Sequence, residues 1–275
     1  MDLVQNTLFV SGYWQVAGNQ KRDLNVYLDN LKDTLKMIKG GRLIFYTSVM
    51  DKADEITAFC RKLSIDVQII ESSISSLPAA DKAESFTEQA FKMNIDRLSF
   101  LTLPSKEKGI AHYRRDLKPD PFVYQQMLTI WLSKFELVNN HLDGEEYCAW
   151  IDAGFSRVRY ERSNCNLQKL KIKNDKISFY SSPMTFFGQP IPVSAGFLHA
   201  NKGCWLTFLK IFRQCTIPFK NLPYPIDEEI IIAEVYSRNP NLFHLIGSPY
   251  KLNGKLHREI HWQYVKLMKI FSTHY

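Results

Sequence analysis

The feature that most constrains this chain is the regular exchange of short apolar runs with amphipathic stretches over residues 8 to 70. Leu8-Phe9-Val10 reads as a buried strand that closes on the loop Ser11-Gly12-Tyr13-Trp14. Leu24, Leu28, Leu31, Leu35 and Ile38 then follow the four-three spacing of one helical face, and Gly40-Gly41 supplies a stop. A second strand, Leu43 to Tyr46, precedes a helix from Asp51 to Leu63, and Val67 to Ile70 makes a third strand. Strands that alternate with helices long enough to serve as crossovers predict an α/β fold: a mixed, mainly parallel sheet with helices on both faces and ligands beyond the carboxyl ends of the strands.

The rest of the chain continues that plan with gaps. Residues 72 to 81 read as a Ser-rich loop and residues 102 to 120 as a mobile connection. Asp120-Pro121 opens an apolar helix that runs to Val138, and Tyr147 to Asp152 is a short strand ending in an acid. Residues 155 to 200 show no long period and predict irregular structure around a site. Helices are expected at Cys204 to Gln214 and Glu228 to Arg238, a strand at Leu242 to Ile246, and a last helix with Ile260, Tyr264, Leu267 and Phe271 on one face. No repeat or linker calls for a boundary, so residues 1–275 read as one domain.

Composition narrows the class. A chain of 275 residues with 45% apolar content can bury a large core. No stretch approaches the ~20 apolar residues that cross a bilayer, so a cytoplasmic protein is expected. Five scattered cysteines suit neither a disulfide framework nor a zinc pattern and predict free thiols. The net charge of +7 favours polyanionic partners. However, the basic residues alternate with acids and no nucleic-acid motif is present, so nucleic acid is not expected as a partner. No glycine-rich fingerprint or P-loop follows the first strand, which disfavours a nicotinamide enzyme or an NTPase.

Four groups of residues could carry chemistry. Cys148 to Gly154 is an apolar strand that delivers Asp152 to its end, where Ala153 and Gly154 let a ligand approach the backbone. Such a carboxylate can hold a divalent cation, Mn²⁺ or Mg²⁺, against a diphosphate, and it can equally start a turn. Lys134 falls on the apolar stripe Met127, Trp131, Val138, where it would meet a diphosphate, pair with a local acid or snorkel past the rim. Asp227-Glu228-Glu229 opens a helix, so Asp227 or Glu228 is a candidate catalytic acid or base, although capping alone would explain the acids. In the segment from His244 through Gly247 to Lys251, the histidine is a candidate second metal ligand and the lysine a candidate phosphate contact; core packing would also account for the histidine.

These residues bring a family into view. The opening strand and loop at Leu8 to Trp14, "LIFYTS" at Leu43 to Ser48, Ser133-Lys134, "WIDAGFSR" at Trp150 to Arg157, "AGFLHA" at Ala195 to Ala200 and the "DEE" at Asp227 to Glu229 resemble the bacterial HtrL/YibB-type proteins, related to the WlaTC group. The resemblance covers most of the chain and implies a GT-A fold. It also implies a glycosyltransferase that moves a hexose from a nucleotide sugar, a UDP-sugar by preference, to a lipopolysaccharide or other surface-glycan acceptor. By position it makes Asp152 the metal-side acid, Arg157 a donor or acceptor contact, and Asp227 or Glu228 the acid beside the sugar. The usual Asp-any-Asp signature is reduced here to Asp152-Ala153-Gly154.

On that reading residues 1–154 form the nucleotide-binding half and residues 155–275 the acceptor-side half, and Ser11, Tyr13, Thr47 and Ser48 would meet the nucleotide. A basic last helix carrying Lys255, Arg258, Lys266 and Lys269 would rest on the inner membrane or simply dock on the core with its charges solvated. The rival readings are a non-catalytic polyanion- or glycan-binding protein and a family member that has lost activity.

Overall fold

The computed structural model describes residues 3–16, 18, 24–92, 120–158, 167, 172–182, 185–186, 189–219 and 227–247. Residues 102–119 of the connection expected at 102 to 120, the basic last helix and Lys251 lie outside these residues.

Seven strands form one sheet in the order β3-β2-β1-β4-β8-β5-β9. Their spans are β1 Thr7–Tyr13, β2 Arg42–Thr47, β3 Asp66–Glu71, β4 Tyr147–Ile151, β5 Ile177–Tyr180, β8 Phe197–Asn201 and β9 Phe243–Gly247. The two-residue strands β6, Thr185–Phe186, and β7, Gln189–Pro190, pair as a separate ribbon. β3, β2, β1 and β4 run parallel, β8 runs antiparallel to β4 and to β5, and β9 pairs parallel with β5. Six strands therefore end on one edge, and β8 begins there. Strands from both the 1–154 and 155–275 segments share this sheet.

Side-chain alternation along each strand divides the core into two layers. On β1, Leu8 and Val10 point to one face and Phe9 to the other; on β4, Cys148 and Trp150 oppose Ala149 and Ile151. The first face packs under helices α3 (Ala80–Lys92), α4 (Pro121–Asn139), α5 (Lys202–Phe219) and α6 (Glu228–Arg238). The second packs under α1 (Leu24–Met37) and α2 (Ala53–Lys62). The expected helices over both faces are present.

The helix starts obey local rules. Asp120 accepts from the N–H groups of Phe122 and Val123 with Pro121 in the first turn, and Asp227 accepts from Ile230 N–H. Sequence periodicity predicts α1, α2, α4 and α6 within a few residues, and the apolar runs locate the starts of β1 to β4. It misses β5 and β8, which fall in the stretch expected to be irregular. Ile-Ser-Phe-Tyr of β5 is buried throughout, so it shows no polar alternation, and four residues carry no period. It also misses α3, whose first residues fall within the expected loop at 72 to 81.

Four of the cysteines, Cys60, Cys148, Cys204 and Cys215, are buried free thiols. No helix among the described residues is long and apolar enough to cross a membrane.

Trp14 turns back over Gly12 and donates its indole N–H to Ser72 O at 2.9 Å, joining the end of β1 to the end of β3. A Cβ on Gly12 would lie 2.3 Å from Trp14 Cη2, so only glycine lets the ring close over the strand. Gly12→Ala is therefore expected to cost about 1–3 kcal/mol by overpacking, read as a lower urea midpoint at unchanged m-value.

Candidate functional site

At the edge where the six strands end, the loop after β4 is held by α1 from one side. Thr34, buried in α1, has its hydroxyl 2.9 Å from both Asn30 O and Ala153 O and accepts from Ser156 N–H at 3.0 Å. Ser156 in turn donates to Asn30 O at 2.7 Å. Phe155 N–H closes a turn on Asp152 O at 2.8 Å, and Asp152 N–H donates to Gly196 O at 2.9 Å. The Asp152-Ala153-Gly154 segment is thus fixed between α1 and the start of β8. Arg157 lies in the following 3-10 turn, Phe155–Val158, with its side chain outside the description.

From the other face come the charged groups. Lys134, at the middle of α4 and only 5% exposed, places Nζ 2.8 Å from Asp152 Oδ1 and 2.7 Å from Glu228 Oε1. Trp150 Nε1 donates to the same Asp152 oxygen at 2.8 Å, and the ammonium lies 5.8 Å from the Trp150 ring centroid. Burial alone would lower the Lys134 pKa. The carboxylates of Asp152 and Glu228 outweigh that cost and hold it above the ordinary lysine value. Glu228 is as buried as Lys134, whereas the Asp152 side chain keeps 31% of its surface exposed. Asp152 is the member of this triad that a ligand can reach.

The three acids of the 227–229 run are divided among different tasks. Asp227 caps α6 through Ile230 N–H at 3.1 Å. Glu228 faces Lys134. Glu229 accepts from Ser182 Oγ at 2.8 Å and from Ala195 N–H at 3.0 Å, and so ties the ends of β5 and the lead into β8 to α6. Burial, then the charges of Asp227 and Glu228, push the Glu229 carboxyl up to about 7.

On the other side of Asp152 the edge is aromatic. Tyr13, Tyr27, Thr47, Val49, Lys52 and Ala153 are among the residues lining a narrow apolar cleft of about 10 Å³, and the Tyr13 and Tyr27 rings stand 4.8 Å apart. Val49 is shared with a wider opening of about 380 Å³ lined also by Gln15, Ser48 and Asp51.

Of the residues expected at the site, Tyr13, Thr47, Ser48, Lys134, Asp152, Ala153 and Glu228 come to this edge. Lys134 meets two carboxylates there, the acid partner its position allows. Thr47 is fully buried, with Oγ1 accepting from Val49 N–H at 3.0 Å. Ser11 is 2% exposed within β1, beneath the surface a ligand could touch. Gly154 stands in the turn after Asp152. Gly247 ends β9 against Tyr180, whose Cε1 would lie 2.9 Å from an added Cβ.

His244 pairs with Ser178 near the start of β9, and β8 and β5 intervene between β9 and β4. That puts it on the order of 14 Å from Asp152 by strand spacing alone. The two expected metal ligands therefore do not meet. No group of three or more His, Cys, Asp or Glu able to hold a metal occurs among the described residues. The donor set does not fit a divalent cation bridging Asp152 and Glu228, because the ammonium of Lys134 stands where those two carboxylates converge.

Residues not singled out from the sequence are Trp150, Tyr27, Thr34, Ser182 and Glu229 as an individual. The buried position of Thr34 on the apolar stripe of α1 is the one sequence signal among them, since a buried hydroxyl needs a partner. No family model and no curated protein matches the chain.

The raised Glu229 pKa has a stability consequence with a definite sign. A carboxyl that titrates at about 7 when folded, against its ordinary 4.5, contributes stability that is complete below about 4.5 and lost as pH rises through about 7. Burial holds the His199 imidazole down at about 4, so it contributes the opposite slope: stability present above 6.5 and lost as pH falls through about 4. The difference between wild type and Glu229→Gln separates the two. Glutamine keeps partners for Ser182 and Ala195, so the excess stability of wild type over this variant is expected to shrink between pH 5 and 8, measured by thermal unfolding in steps across that range.

Proposed function

We propose that this protein is a GT-A-type glycosyltransferase that moves a hexose from a nucleotide-sugar donor, a UDP-sugar by preference, to a lipopolysaccharide or other surface-glycan acceptor. The observation that carries the reading is the continuity of the edge: Ala153 lines the aromatic cleft, and the partly exposed Asp152 directly precedes it. A base in the wider opening of about 380 Å³ beside Ser48 and Val49, which adjoins that cleft, would have its ribose and diphosphate led toward Asp152, at the carboxyl edge of a mainly parallel sheet. The resemblance carried by the "WIDAGFSR" block supports the same class.

In this reading the acceptor hydroxyl oxygen forms a bond to the anomeric carbon while the bond from that carbon to the diphosphate breaks. The nucleoside diphosphate leaves with the electron pair. Asp152, its outer surface toward the ligand and its Oδ1 fixed by Lys134 and Trp150, orients donor hydroxyls. Asp227 caps the helix start, Glu228 holds the ammonium, and Glu229, its carboxyl pushed up to about 7, would take the acceptor's proton. Positioning and charge stabilisation carry the rate.

A thermal-shift screen of UDP, GDP, CMP and dTDP sugars tests this. A donor at ~100 times its Kd adds about 2.7 kcal/mol of stability, a rise of several degrees. The shift is expected with UDP-sugars and is expected to vanish in Asp152→Asn. No shift with any nucleotide sugar would favour a glycan- or polyanion-binding protein.

A further inference from the structure

We infer that Lys134 is a built-in cation at this edge and that Asp152 receives a nucleotide-sugar donor without a divalent metal. The donor part rests on the transferase reading above; the metal part stands on its own geometry.

A divalent cation of the Mg²⁺ or Ca²⁺ kind is held by carboxylate oxygens that converge at roughly 2.0–2.6 Å. Asp152 Oδ1 and Glu228 Oε1 do converge, but their common point is Lys134 Nζ, at 2.8 and 2.7 Å. A metal bridging the same two oxygens would have to displace an ammonium that is 5% exposed and covalently anchored in the middle of α4. Asp152 Oδ1 also accepts the Trp150 indole N–H at 2.8 Å, so two donors share one oxygen that offers about two lone-pair directions.

The neighbouring acids are committed elsewhere. Asp227 Oδ1 caps α6, and the two oxygens of Glu229 face Ser182 and Ala195 N–H. The described groups thus leave no second carboxylate to complete a metal site with Asp152. The raised Lys134 pKa agrees with an ammonium that stays charged across the physiological range. Two carboxylates and one ammonium form a fixed array behind the ligand edge, and Asp152 serves it as a hydrogen-bond acceptor.

The test uses the full chain stripped with EDTA. Mn²⁺ is titrated in and followed by the loss of its free electron-spin-resonance signal, and UDP binding is measured by calorimetry in EDTA and in Mn²⁺. Expected are no stoichiometric Mn²⁺ site that depends on Asp152 and a UDP affinity that changes less than about twofold between the two buffers. Lys134→Met, which leaves two carboxylates facing one another, is expected to gain Mn²⁺ binding and to be stabilised by Mn²⁺ where wild type is not.

One Mn²⁺ per wild-type chain that is lost in Asp152→Asn, or UDP affinity raised about tenfold or more by Mn²⁺, would overturn the inference. If Lys134→Met does not fold, the wild-type titration and Asp152→Asn decide the matter. Absence of UDP binding in both buffers would count against the transferase reading, while the Mn²⁺ titration alone would still decide whether Lys134 holds the cation position.

Discussion

The carboxyl edge of the sheet depends on one buried ion contact, Lys134 between Asp152 and Glu228. It joins the middle of a helix to a strand end and to the first turn of a second helix, three pieces far apart in the chain. Charges taken out of water in this way are stable only together, since removing one partner of a buried pair typically costs about 3–5 kcal/mol. The contact therefore fixes the spacing of α4, β4 and α6 while leaving one side of Asp152 open to solvent. Trp150 completes the orientation from within β4, which its alternation sends to the same face as Lys134.

The reversed strand β8 explains how so many polar groups reach one place. A parallel strand there would end at the edge, but β8 begins at it, so residues 194–196 arrive alongside the ends of β4 and β5. Ser194 N–H donates to Tyr180 O at 2.8 Å, Ala195 N–H to Glu229, and Gly196 O accepts from Asp152 N–H. Three successive residues thus tie β5, α6 and β4 together through backbone groups that any sequence could supply.

Chemically the edge is lopsided. One side carries buried carboxylates around a single described ammonium; the other, at the ends of β1 and β2, is aromatic and apolar, with Tyr13, Tyr27 and Val49 around its cleft. A flat, partly apolar ring suits the second side and polar hydroxyl groups suit the first. The division follows from strand order, because β1 and β2 lie on one flank of β4 and β8 and β5 on the other.

The sequence by itself determined the layers: helical periodicity in α1, α2, α4 and α6 and apolar runs in β1, β2 and β4 decide which faces are buried. It also set Asp152 at a strand end and required a partner for Lys134, since an amine on an apolar stripe cannot remain unpaired. What it could not say was which partner. That choice rests on β8 entering reversed and α6 starting beside α4, contacts between residues such as Lys134 and Glu228 that are 94 positions apart. The same long-range pairing separated His244 from Asp152 and set Glu229 where burial and the charges of Asp227 and Glu228 push its carboxyl up to about 7. Local periodicity records which side of an element meets the core, whereas the identity of the group waiting there is a property of chain topology, which only tertiary packing resolves.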